Sequence, residues 1–221
     1  MIEVKNVTKK YSKNTVLNNV SFTIQKGKFT FIAGRNGSGK TTLLKCLLDL
    51  ERYEGEITYE NQSLDSVRED ISVIYDNPPL YKHLTGYQNI ELLLNKKLSN
   101  KEIEETNVTR LQPDVLRKKV KTYSFGQIKK LSLLIAFLSN PRYLFLDEVS
   151  NGLDYESLLD VKRILQENET EMTIVAIGHQ FEFYSSIIDD LIVVNNGSVI
   201  TFKDFQQRGG DLVEEYKLYI Q

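Results

Sequence analysis

Apolar and polar residues alternate at the start of the chain, through Ile2, Val4, Val16, Val20, Phe22 and Ile24, as half-buried antiparallel strands require. A turn at Lys26-Gly27-Lys28 opens onto Phe29-Thr30-Phe31-Ile32-Ala33, an almost unbroken apolar run that suits a strand buried on both faces. A glycine-rich loop follows, and the pattern then predicts a helix over about 40–48 and a further strand over 71–75. From Thr85 to about Leu138 the period turns helical. Ile90, Leu93 and Leu94 are expected on one buried face there, and a Ser99-x-x-Glu102 capping box opens another helix.

Beyond Pro141 the pattern reads strand (143–146), helix (about 155–166), strand (173–177), helix, strand (191–194). Such alternation predicts a parallel sheet with crossover helices, hence an α/β fold. The helical stretch interrupts it, so the expectation is one domain over 1–221 with a helical subdomain inserted at about 77–137. Val213, Tyr216 and Ile220 stand at helical spacing and predict a last helix docked on the core. No internal repeat or low-complexity linker is visible.

Composition narrows the class without naming a function. A chain of 221 residues with 41% hydrophobic and 26% charged residues reads as an ordinary soluble protein able to bury a core. The longest apolar stretch, 131–138, is broken by Ser132, far short of the roughly 20 residues that a spanning helix needs. Met1-Ile2-Glu3-Val4-Lys5 lacks the layout of a signal peptide, so a cytoplasmic location is expected. A single cysteine excludes a disulfide framework and a cysteine-based zinc cluster. A net charge of −2 gives no bulk attraction to nucleic acid, and no nucleic-acid partner is expected.

Gly34-Arg35-Asn36-Gly37-Ser38-Gly39-Lys40-Thr41 satisfies G-x-x-x-x-G-K-[ST], between a predicted strand and a predicted helix. Glycines let successive backbone N–H groups curl around an anion, and the helix N-terminus adds partial positive charge. Lys40 then reaches the β- and γ-phosphates and the Thr41 hydroxyl ligates Mg²⁺, with Thr42 beside it in the nucleotide-binding set. Downstream, Leu144-Phe145-Leu146 ends in Asp147 and Glu148. Two acids ending a strand are usually just solvated. Paired with a phosphate loop, Asp147 is placed to hold Mg²⁺ and Glu148 to act as general base on water.

Between these motifs lies Tyr123-Ser124-Phe125-Gly126-Gln127, where the chain resembles the ATP-binding-cassette (ABC) superfamily, whose signature is L-S-G-G-Q. The resemblance covers essentially the whole chain. It implies a P-loop NTPase (RecA-like) core with an N-terminal antiparallel β-subdomain and an inserted helical subdomain. Tyr11 matches the aromatic that stacks on adenine, with Val16 nearby. Asp76 matches the Q-loop glutamine as a further metal-site residue, Asn151-Gly152-Leu153-Asp154 the D-loop, and His179 the switch histidine at the γ-phosphate. Ser124-x-x-Gln127 is itself a capping box, so Ser124 is expected to begin a helix whose free N–H groups suit an anion. In the family, the signature residues, here Ser124, Gly126 and Gln127, face ATP bound to a second cassette. Two cassettes thereby enclose two ATP molecules and work with a transmembrane permease at the inner face of the cell membrane.

Several positions depart from the family. Asp76 stands for glutamine, Tyr123 for leucine, Phe125 for the first signature glycine, and Val149-Ser150 for proline and threonine. The form Tyr-Ser-x-Gly after Lys118-Lys119-Val120-Lys121-Thr122 looks most like bacterial exporters of antimicrobial peptides and drugs. The resemblance implies an ATP-hydrolysing subunit of an exporter. Two other readings stand beside it: a nucleotide-dependent regulatory or resistance module, and a soluble ABC ATPase acting in translation or DNA maintenance. The latter class usually carries two cassettes or coiled-coil insertions, which this chain lacks. A GTPase is disfavoured, because Asn95-Lys96-Lys97-Leu98 lacks the acid of a guanine motif.

Overall fold

The computed structural model describes residues 1–167 and 172–220. The alternating opening segment forms a hairpin of β1 (Ile2–Tyr11) and β2 (Asn14–Ile24), and β4 (Glu54–Tyr59) pairs antiparallel with the other edge of β1. The continuous apolar runs instead build a six-stranded sheet. It contains β3 (Phe29–Ala33), β5 (Ile71–Ile74), β6 (Tyr143–Asp147), β7 (Thr173–Ile177), β8 (Asp190–Asn195) and β9 (Ser198–Phe202). Their order is β5-β6-β7-β3-β8-β9, with all pairs parallel except the final β8–β9 hairpin.

Alternation within these strands divides two cores. Phe31, Leu144, Ile174, Ala176 and Val193 face one layer, shared with Val161 and Ile164 of α7 (Tyr155–Glu167). Ile32, Phe145, Val175, Ile177 and Ile192 face the other, where α1 (Lys40–Leu47) lies with Val4, Leu17 and Ile24 of the antiparallel sheet. Strands buried on both faces explain why the sequence reads there as continuous apolar runs.

Short elements fill the remainder. They are α2 (Leu64–Val67), α3 (Gly86–Leu94), α4 (Asn100–Glu105), α5 (Pro113–Leu116) and α6 (Phe125–Leu138), then α8 (Phe181–Tyr184) and α9 (Leu212–Ile220). Capping boxes at Thr85, Ser99 and Ser124 start α3, α4 and α6. Ile90, Ile103, Leu111, Leu116, Val120, Leu131 and Leu134 form a separate cluster among these helices. Helix α6 belongs to both sides, because Leu133 and Ala136 enter the core beside the central sheet.

Two expected faces are corrected. Ile90 is buried as expected and Leu94 packs against its cluster, but Leu93 is 39% exposed, and α3 buries Gly86 and Asn89 beside Ile90. Asn89 takes the inward position because its side chain satisfies loop backbone, donating to Tyr81 O at 3.1 Å and accepting from Tyr81 N at 2.8 Å. In α9, Val213 is 42% exposed, whereas Leu212 is buried and the Tyr216 ring lies 4.6 Å from that of Phe181. The helix docks through that i, i+4 pair; the Ile220 side chain lies outside the described residues.

Candidate active site

Four neighbouring parallel strands deliver the predicted chemistry to one edge of the sheet. Asp76 follows β5, Asp147 and Glu148 end β6, His179 follows β7, and the glycine loop follows β3. Register aligns these ends: Ile74 pairs with Leu146, Asp147 with Ile177, and Ile32 with Ile177. Carboxyl ends of parallel strands are where open α/β sheets place ligands.

The loop from Gly34 to Gly39 folds back on itself. Ser38 N donates to Arg35 O at 3.1 Å, and the Lys40 ammonium donates to Gly34 O at 2.8 Å and Arg35 O at 3.1 Å. Arg35, Asn36 and Gly37 are exposed at its tip, as is Thr41 in the first turn of α1, while Thr42 is half-buried. Gly39 is required on two counts. Its φ is +110°, and an added Cβ would lie 3.0 Å from Val16 Cγ1. That contact also sets Val16 against the loop. Burial pushes the Lys40 ammonium below its ordinary range, and the Glu148 carboxylate opposes the shift.

Glu148 occupies a left-handed backbone conformation, φ 53°, with its N–H bonded to Ile177 O at 3.0 Å. Its Oε1 lies 3.1 Å from His179 Nε2. Burial raises the Glu148 carboxyl above the ordinary glutamate range, and the charges of His179 and Lys40 pull against that rise. Asp147 is raised too, by burial and then by Asp76, with Lys129 and Lys45 opposing. Ser38 Oγ and Glu148 Oε2 are both buried without a hydrogen-bond partner. Unsatisfied buried groups at a phosphate loop fit a polar ligand with its metal. Among the described residues, no three His, Cys, Asp or Glu side chains converge as a metal cage.

The remaining predicted residues lie apart from this group. Tyr11 is exposed at the end of β1, with the Lys9 ammonium 4.5 Å from its ring centroid. Lys9 is held in turn by Glu51 Oε2 at 2.9 Å and Arg52 O at 2.7 Å. Ser124 accepts from Gln127 N at 3.2 Å while Ser124 N donates to Gln127 Oε1 at 3.0 Å, the reciprocal pair of a capping box. This turn leans on α7, not on the chain's own glycine loop: a Cβ on Gly126 would meet Ser157 Oγ at 2.3 Å. One charged residue at the site escaped the sequence reading. Lys129 of α6, only 1% exposed, donates to Asp76 O at 2.7 Å and Tyr75 O at 3.3 Å. A lysine within a helical pattern is ordinarily solvated, so the sequence carries no signal for its burial.

A phosphate loop on a central parallel strand, with strand-end acids two and three strands away, defines a P-loop nucleotide hydrolase. The ABC transporter family model matches residues 17–151, so the chain belongs to that family. It is 30% identical over 224 residues to the lantibiotic transport ATP-binding protein SrtF of Streptococcus pyogenes, covering 97% of this chain and 95% of that one. It is also 30% identical to the spermidine/putrescine import ATP-binding protein PotA of Legionella pneumophila, covering 90% of this chain and 58% of that protein. Among solved structures, a dimeric post-hydrolysis state of the ATP-binding cassette MJ0796 bound to ADP and Pi matches with TM-score 0.79. It is 26% identical, over 92% of this chain and 98% of that one. The expected class, an ATP-binding and ATP-hydrolysing cassette using ATP with Mg²⁺ on a P-loop core, is therefore established. Cassettes of this family dimerise and work with transmembrane subunits. Among the described residues, no helix is long and apolar enough to cross a membrane.

Proposed function

We propose that this chain is the ATP-hydrolysing cassette of a membrane exporter, one domain over 1–221 with its helical part inserted at about 77–137, and that it acts at the inner face of the cell membrane. The observation that carries the reading is the alignment of Asp76, Asp147–Glu148, His179 and Lys40 along four adjacent strand ends. Lys40 and the amides of Gly34, Arg35, Asn36, Gly37, Ser38 and Gly39 hold the phosphates. Thr41, Asp147 and Asp76 are the residues for Mg²⁺, with Thr42 beside them. The metal, when bound, neutralises charge that develops on the phosphate oxygens.

Glu148 accepts a proton from the attacking water, and its raised pKa keeps it a stronger base than an exposed glutamate. His179, within 3.1 Å of Glu148, fixes the orientation of that carboxylate and faces the γ-phosphate. Tyr11 and Val16 receive the adenine. Ser124, Gly126 and Gln127 serve the nucleotide of a second copy or a related cassette, since their helix end leans on α7 and Ser157 within its own chain. Export is supported by the exporter-like Tyr-Ser-x-Gly form and by the SrtF match, which spans 95% of that lantibiotic transport subunit.

The test is genetic and biochemical together. The neighbouring genes should encode a protein with about six stretches of spanning length. Co-expressed in membrane vesicles, it should retain this chain on the cytoplasmic side and raise its ATP turnover. Turnover indifferent to that protein would contradict the transporter reading.

A further inference from the structure

Lys129 lies outside every motif that the sequence displays, yet it is buried to 1% exposure in the middle of α6. Leu131, Leu133 and Leu134 beside it in the helix are fully buried hydrocarbon. Carrying an ammonium into such a place is costly, and neutral carbonyls offset that cost poorly. A leucine or methionine would fill the same space without the desolvation.

What faces Lys129 is the acidic edge of the site. Its Nζ donates to the carbonyl oxygens of Asp76 and Tyr75 and stands 3.7 Å from Asp76 Oδ1. Burial pulls the Lys129 ammonium below its ordinary range, and the charges of Asp76, Asp147 and Glu148 oppose that shift. Three carboxylates therefore share this edge with the buried ammonium groups of Lys129 and Lys40, and the charge of Lys45 also acts on Asp147. A nucleotide entering it brings several further negative charges.

The geometry points to Lys129 as a positioning residue: a fixed internal cation that holds Asp76 beside Asp147 and Glu148 and offsets its charge, so that a nucleoside triphosphate can occupy the site. This rests on the reading of Asp147 and Glu148 given above. It also gives the aspartate at position 76 a physical partner within the signature helix. A charge pair then stands where the family carries an uncharged glutamine in the Q-loop.

The experiment is equilibrium binding of ATP to the full chain, in EDTA and in Mg²⁺, for wild type, Lys129→Met, Asp76→Asn and the double variant. Lys129→Met should weaken Mg-free ATP about tenfold or more, as loss of one buried compensating charge implies. The loss should be smaller for MgATP, because the metal brings its own positive charge. Asp76→Asn should tighten Mg-free ATP several-fold, and in that background Lys129→Met should cost far less than the tenfold it costs in wild type. Effects that simply multiply in the double variant would reduce Lys129 to a backbone anchor and overturn the proposal. Should Lys129→Met fail to unfold cooperatively, Asp76→Asn alone decides: unchanged Mg-free affinity overturns it. A wild-type chain that binds no ATP would remove the reading of the site and this proposal with it, an outcome distinct from multiplying effects in a wild type that does bind.

Discussion

Glu148 concentrates the chemistry of the site in one strained residue. A positive φ in a non-glycine residue costs energy and persists where neighbouring structure imposes it. The bond from Glu148 N to Ile177 O at 3.0 Å supplies part of that constraint. Replacing only its basic oxygen should leave binding intact and remove the base, so Glu148→Gln is expected to lower turnover roughly 10²- to 10⁴-fold with ATP affinity retained. The pH profile follows from the raised pKa. Protonated Glu148 cannot accept a proton from water, so activity is lost as pH falls through the folded value. The acidic limb of kcat/KM should therefore lie above the ordinary glutamate value of 4.5; a limb at or below it would contradict the assignment. Glu148 and Asp147 were legible because two acids close an apolar run downstream of a phosphate loop. Lys129 was not, because a lysine in a helical pattern is ordinarily solvated, and only the fold shows it beneath Asp76.

At the scale of elements, α6 and the joint between the sheets carry the testable weight. Ser124 closes the N-terminus of α6, so Ser124→Ala should cost about 1 kcal/mol in urea unfolding. On the proposed reading this helix end meets the nucleotide of a second copy, so the variant should bind less well to a second ATP-loaded copy. The joint is ionic. Glu60, just past β4, pairs with Lys26 at 2.9 Å and with Arg142, which reaches Asp70 at 3.2 Å before β5. The Lys26 hydrogen bond, then the N-terminal ammonium and Arg142, pull the Glu60 carboxyl down to about 2. A depressed pKa stabilises the fold fully above the unfolded value near 4.5, and that contribution disappears as pH falls toward 2. Thermal unfolding should show Tm falling across this window, with a shallower fall in Glu60→Gln; equal slopes would count against the joint. Strands β4 and β9 were missed because polar residues fill their exposed positions, Glu54 and Glu56 in one and Ser198 and Thr201 in the other. The strands buried on both faces were read correctly for the opposite reason.

Across the whole molecule, nucleotide chemistry and partner recognition fall, on the proposed reading, in different parts of the chain. The glycine loop, acids and His179 gather at the sheet edge, while Ser124 and Gly126 lean on α7. Phe125, 65% exposed, and Tyr155 leave apolar surface uncovered beside that signature turn. This division was legible only through likeness to a family, since neither helical periodicity nor composition reveals that one half of a site waits for another molecule. The order of strands that aligns Asp76, Glu148 and His179 was likewise invisible in the sequence, because residues far apart in the chain meet only through parallel crossovers. The central claim is that ATP joins the loop of one copy to the signature of another. Light scattering of Glu148→Gln with MgATP measures this directly, with Lys40→Ala as the control that cannot hold the phosphates. The account predicts that Glu148→Gln becomes a dimer with MgATP, stays a monomer without it, and that Lys40→Ala remains a monomer in both. Glu148→Gln that binds MgATP and remains a monomer would contradict it.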